Sequence, residues 1–172
     1  QMQKKLNLKI KFRESFRPFA PSILREDLDK WFNLEIDSPY MLLVSDIKDE
    51  LKIPIGDQDS NLFGIEKLNV KRSQVPAITH VDYSSRIQTV HKNTNPKYHN
   101  LISKFKDLTG CPILINTSFN IRGEPIVCSI EDAYNCFMGT DLDILVCENF
   151  MMYKEKQNNG KFNNYKNKFM DD

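Results

Sequence analysis

Small hydroxyl and amide side chains crowd one stretch of this chain, Cys111-Pro-Ile-Leu-Ile-Asn-Thr-Ser-Phe-Asn-Ile-Arg-Gly-Glu-Pro-Ile126. Pro112 to Ile115 reads as a buried strand that empties into Asn116, Thr117, Ser118 and Asn120, followed by a Gly-Glu-Pro turn. At the carboxyl end of a strand such side chains hold a ligand by hydrogen bonds without adding charge or bulk. The charge of such a site must therefore come from elsewhere. Lys11, Arg13 and Arg17 near the start supply it, with Arg86 in the middle of the chain. Two apart on an extended segment, Lys11 and Arg13 would share a face, and Arg17 follows after a short turn. Converging cations repel one another unless an anion sits between them. Phosphate suits, because Arg offers its oxygens a planar fork and Lys a compact charge. The same residues also suit a solvated basic strand end with Glu14 as a partial counter-ion.

Other constellations are weaker. His80 and Asp82 fall on one face of an extended segment, but no nucleophile goes with them, and a structural histidine is the better reading. His91 and His99 have no partner pattern. There is no GxxxxGK[ST] and no GxGxxG, so neither of those nucleotide-binding routes applies. Ser118 lacks the glycine-flanked elbow of a hydrolase nucleophile. Cys111, Cys128, Cys136 and Cys147 show no CxxC spacing and sit among apolar residues, which points to reduced core cysteines in a cytosolic protein rather than a zinc site.

The elements that position these residues follow from the hydropathy pattern. Leu6 to Phe12 alternates strictly, as a half-buried strand does, and Pro18 and Pro21 then call for an extended crossing. Leu24, Leu28, Trp31 and Phe32 fall at helical spacing behind a Ser22 cap. Met41 to Val44 reads as a strand, residues 46–74 as a mobile flap or hairpin insertion, and Ala77 to Val81 and Arg86 to Val90 as two further strands. Asn95-Pro96 opens the clearest helix, with Tyr98, Leu101, Ile102, Phe105 and Leu108 as its buried stripe and Gly110 as its stop. Ser129 starts a short helix that carries Ala133, Cys136 and Phe137. Ile144 to Cys147 and Phe150 to Tyr153 are the last strands, and 154–172 is a polar tail.

Interleaved strands and helices make this a mixed α/β chain, and 172 residues suit one domain. A net charge of +1 argues against a nucleic-acid binder. No apolar run is long enough for a membrane span. The opening Gln-Met-Gln-Lys-Lys has no apolar region behind it, so it is not a signal peptide and reads as a cut point in a longer polypeptide.

Three segments in order carry a resemblance: Lys11 to Leu24, Pro76 to Val90, and Asn116 to Val127. Together they resemble the C-terminal domain of nodulation-type O-carbamoyltransferases, the family of the tobramycin and cephamycin carbamoyltransferases. The resemblance implies a YrdC-like α/β fold over residues 1–153, a twisted mixed sheet with flanking helices. It implies binding of ATP, with Mg²⁺ on the nucleotide, and of carbamoyl phosphate, to make carbamoyl adenylate. Lys11, Arg17 and Arg86 would act on the phosphates as catalytic cations. Arg13, Asn116, Ser118 and Asn120 would bind nucleotide, the last two as a Ser-x-Asn pair. The partner would be a preceding ASKHA-like transferase domain of the same cytoplasmic polypeptide. Two alternatives stand beside this reading: threonylcarbamoyl-adenylate synthesis for transfer-RNA modification, as in stand-alone YrdC-like proteins, whose surrounding motifs differ and whose RNA-facing surface is strongly basic, and a non-catalytic nucleotide-binding partner domain.

Overall fold

The computed structural model describes residues 2–56, 62–68, 70–158 and 165–169. The chain divides into two compact units, Pro18–Thr117 and a second built from Gln1–Arg17 with Ser118–Asp172.

The continuous unit is organised by a mixed sheet with strand order β2-β3-β1-β4, as the mixed α/β reading expects. Its strands are β1 (Ala20–Leu24), β2 (Leu43–Asp46), β3 (Ser84–Val90) and β4 (Ile113–Asn116). β1 runs parallel to β3, pairing Ser22 with Gln88, and antiparallel to β4, pairing Ala20 with Asn116. β4 is therefore an edge strand of this sheet, not a central one. β1 carries Pro21 between two neighbours and is buried throughout. Leu24, expected on the apolar stripe of a helix, fills the core from that strand together with Ile23. Ser22 lies in the strand too and caps nothing. Helix follows only as a 3₁₀ turn, Arg25–Asp27, and the single α-turn α1 (Leu28–Trp31).

Helix α2 (Pro96–Thr109) forms as expected. Asn95 accepts the Tyr98 N–H at 3.3 Å, and Gly110 closes the helix at φ +76°. Its buried face differs from the expected stripe. Ile102 packs against Leu24 and Val90 and His99 is buried, while Leu101 and Leu108 are exposed. His99 is held by Glu26, 2.8 Å from its Nε2. Ala77 to Val81 is a turn, not a strand. There Thr79 donates to the Val75 carbonyl and Asp82 accepts from the Ser84 N–H, so side chains compete with the ladder for backbone groups. Within 46–74, β2 extends to Asp46, a 3₁₀ turn covers Asp49–Leu51, and Lys52 bridges Ser73. The expected flap also falls partly on residues 57–61 and 69, outside the described residues.

In the second unit the expected strand Leu6–Phe12 is helical. Helix Met2–Leu6 runs into a π-helical turn, Asn7–Lys11, that ends at Phe12 with φ +48°. The alternation misled because it is inverted: Asn7 and Lys11, one turn apart, are buried, while Leu8 is exposed. Helix α3 (Ile130–Gly139) starts on a capping box in which Ser129 and Asp132 each accept the other's backbone N–H. It packs Phe137 and Met138 against Leu145 and Met152 of a hairpin, β5 (Ile144–Cys147) and β6 (Phe150–Tyr153). Beyond it lie turns at Lys154–Lys156 and Tyr165–Phe169. No helix of the described residues is long and apolar enough to cross a membrane. All four cysteines are free, and Cys128 is exposed rather than in the core.

Candidate functional site

Asn7 organises the basic segment, and sequence reasoning missed it. Its amide donates to the Ser15 carbonyl at 3.2 Å and the Arg17 carbonyl at 2.8 Å. Its Oδ1 accepts from Arg13 Nε at 2.6 Å. The left-handed Phe12 turns the chain back so that residues 13–17 wrap around this fully buried side chain. The signal lay in the sequence, since Asn7 precedes Lys11 by one helical turn. Lys11 and Arg13 consequently do not share a strand face.

Lys11 reaches the Ser118–Asn120 loop, more than a hundred residues along the chain. Its Nζ lies 2.8 Å from the Ser118 carbonyl, 2.6 Å from the Asn120 carbonyl, 2.8 Å from Asn120 Oδ1 and 3.3 Å from Ser118 Oγ. An ammonium has three protons, so this one is fully engaged by the loop itself. Burial, and then the neighbouring Arg13 charge, lower its pKa to about 8. The Arg122 N–H also donates to the Lys11 carbonyl, at 3.2 Å.

The loop closes on itself. Ser118 Oγ donates to Asn120 Oδ1 at 2.6 Å, and Asn120 Nδ2 donates to the Glu124 carbonyl at 2.7 Å. The buried Glu124 carboxylate accepts the Ile121 N–H at 2.8 Å and the Tyr165 hydroxyl. Gly123 at φ +77° makes this turn, and a side chain there would strike the Phe169 carbonyl. Cys136 lies close by, its thiol pushed up to about 12 by burial and the Glu124 charge.

Around Glu14 the cations gather. Arg17 lies 3.0 Å from its carboxylate and Arg122 3.6 Å. Burial and the nearby Arg17 charge hold the Arg13 guanidinium below the ordinary arginine range. The Glu14 carboxyl sits below its usual range through its own backbone N–H and these arginines. The place of Arg122 in the Arg-Gly-Glu-Pro turn is its sequence signal. Lys11, Arg13, Arg17, Ser118 and Asn120 thus all lie in the two-ended unit.

Asn116 and Arg86 belong to the sheet unit. Asn116 Nδ2 and Ser22 Oγ both donate to Gln88 Oε1, each at 2.6 Å, forming a polar line across β4, β3 and β1. Gln88 is held in turn by its own donation to the Pro39 carbonyl at 3.1 Å. Arg86 stands exposed on β3 opposite Val44. Among the described residues no three His, Cys, Asp or Glu side chains gather into a metal cluster.

A family model described as "Carbamoyltransferase C-terminus" matches residues 1–154. An uncharacterised protein of Synechocystis is 60% identical over 156 residues, 91% of this chain and 25% of that protein. The nodulation protein NolO of Bradyrhizobium diazoefficiens is 41% identical over 153 residues, 87% of this chain and 24% of that protein. A 3'-hydroxymethylcephem-O-carbamoyltransferase of Amycolatopsis lactamdurans is 35% identical over 123 residues, 72% of this chain and 19% of that protein. The chain spans a quarter or less of the length of these relatives.

Proposed function

The chain belongs to the carbamoyltransferase C-terminal family, and on that premise we propose that it serves ATP-dependent activation of carbamoyl phosphate within a longer O-carbamoyltransferase. The observation that carries this reading is the pair Arg17 and Arg122 on the single carboxylate of Glu14, beside the Lys11-braced Ser-x-Asn loop. Among the described residues these two guanidinium groups share one carboxylate, which leaves positive charge fit for phosphate oxygens.

In the reaction, carbamoyl phosphate and water give carbamate and inorganic phosphate. A carbamate oxygen then attacks the α-phosphorus of ATP, the bond to the β-phosphate breaks, and pyrophosphate leaves. Fixed cations offset the charge that develops on the non-bridging and departing oxygens. Arg17 and Arg13 act in that role. Lys11 acts one step back, because its ammonium holds Ser118 and Asn120 in place for the nucleotide. Mg²⁺ travels on the triphosphate. Carbamoyl adenylate then passes to the ASKHA-like domain of the same cytoplasmic polypeptide, which transfers the carbamoyl group to a hydroxyl and releases AMP.

Two half-reactions of the full-length enzyme test this. Arg17→Ala should lower pyrophosphate release from ATP and carbamoyl phosphate roughly 10- to 150-fold, the worth of one charge-assisted contact. Transfer from supplied carbamoyl adenylate should stay nearly unchanged. Equal loss of both would make Arg17 a support of the fold instead.

A further inference from the structure

The β5–β6 hairpin has two faces of opposite fate. Ile144 pairs with Tyr153 and Val146 with Met151, so these four side chains share one face, and Leu145 and Met152 share the other. The second face packs on Phe137 and Met138. The first is exposed, Ile144 by 44%, Val146 by 60%, Met151 by 56% and Tyr153 by 38%, with the Lys156 ammonium lying 4.9 Å from the centre of the Tyr153 ring. A sheet face that meets water normally carries polar residues. Here it is apolar across both strands and rimmed by the exposed Asp143 and Glu148, the pattern of an apolar interface centre inside a charged border. Two strands alone make a marginal sheet with two unpaired edges.

We infer that this hairpin face is the docking surface for the rest of the polypeptide, an apolar layer of the preceding transferase domain. The inference rests on reading the chain as one part of a longer O-carbamoyltransferase. In each relative named above, three quarters or more of the length lies outside the stretch that this chain matches. The hairpin therefore has a large neighbour on the same chain, at high effective concentration. The size of the patch favours that neighbour over a second copy. Four side chains offer a few hundred Å², well below the roughly 800 Å² per partner of a standard interface between free proteins. Linkage on one chain removes most of the association entropy that a free dimer has to overcome.

Hydroxyl-radical footprinting of the unmodified full-length polypeptide tests the assignment without a substitution. Met151 and Tyr153 should be modified at least ten-fold more slowly than their exposure in this chain implies, at every protein concentration. Modification at the rate of an open surface overturns the inference, and so does protection that appears only as concentration rises, which would mean a second copy. A photo-crosslinking p-benzoylphenylalanine in place of Met151 should then join to residues outside the 172 of this chain. A crosslink within them overturns the assignment. Neither measurement uses ATP or carbamoyl phosphate, so failure of the proposed activation chemistry leaves both results standing.

Discussion

Replacing Lys11 by methionine keeps the length of the side chain and removes the charge. At pH 7 the variant loses three short charge-assisted hydrogen bonds, to the Ser118 and Asn120 carbonyls and to Asn120 Oδ1. Each is worth roughly 1.5–3 kcal/mol. Against this stands the cost of burying the ammonium, seen in a pKa lowered from 10.5 to about 8; at 1.36 kcal/mol per unit that cost is roughly 3 kcal/mol. The difference leaves Lys11→Met less stable by about 1–6 kcal/mol at pH 7. The pH dependence then isolates the lysine. A base whose folded pKa is depressed binds fewer protons folded than unfolded between the two values, so stability rises with pH in that window. The native chain should therefore gain about 2–3 kcal/mol relative to the variant between pH 8 and pH 10. Urea unfolding of both proteins at half-unit steps reads this directly, and shared contributions such as the Cys136 thiol largely cancel in the difference. A gap that stays flat or narrows above pH 8 would refute the reasoning, because the four acceptors would then keep the ammonium charged despite its burial.

Two further substitutions probe how the two-ended unit is held together. Alanine for a helical glycine ordinarily stabilises by up to about 1 kcal/mol, but at Gly139 the new Cβ would lie 2.1 Å from the Tyr165 ring. Gly139→Ala should therefore dislodge the Tyr165–Phe169 turn and speed proteolysis after Tyr153; unchanged protection would show that the turn has no seat there. Ser129→Ala removes the capping box of α3 and should cost about 1 kcal/mol in urea unfolding, with a loss below a few tenths counting against the cap.

Legibility of the sequence followed the range of the interactions involved. Asn95, Pro96 and Gly110 framed α2 correctly because capping is local, and Ser129 did the same for α3. The short apolar runs of β5 and β6 were placed to the residue. Failures came where a distant partner decided the outcome. Leu6 to Phe12 reads as a strand only until Asn7 and Lys11 are seen to be the buried side, and their acceptors lie in residues 15–17 and 118–120. Pro18 and Pro21 called for an extended crossing, and Ala20–Leu24 is extended. Its pairing with β3 and β4, which carries the strand through Leu24, depends on residues far along the chain. The Ser-x-Asn loop and the basic segment were legible as residue types. Their joining through the Lys11 ammonium was not, and neither was the part played by Asn7, Arg122 and Glu124.

Order of synthesis acquires a meaning from the two-ended unit. The sheet comes from one continuous stretch and is complete once Thr117 has been added. Lys11 waits much longer, since the Asn120 oxygens that receive it lie 109 residues downstream. At typical translation speeds that interval is roughly 5–20 s. Throughout it the ammonium stays hydrated, and the helix that carries it has no loop to pack against. A nascent chain therefore finishes the inserted sheet first and closes the basic segment onto its loop afterwards, so Lys11 meets its acceptors only once the whole sheet stretch has been made.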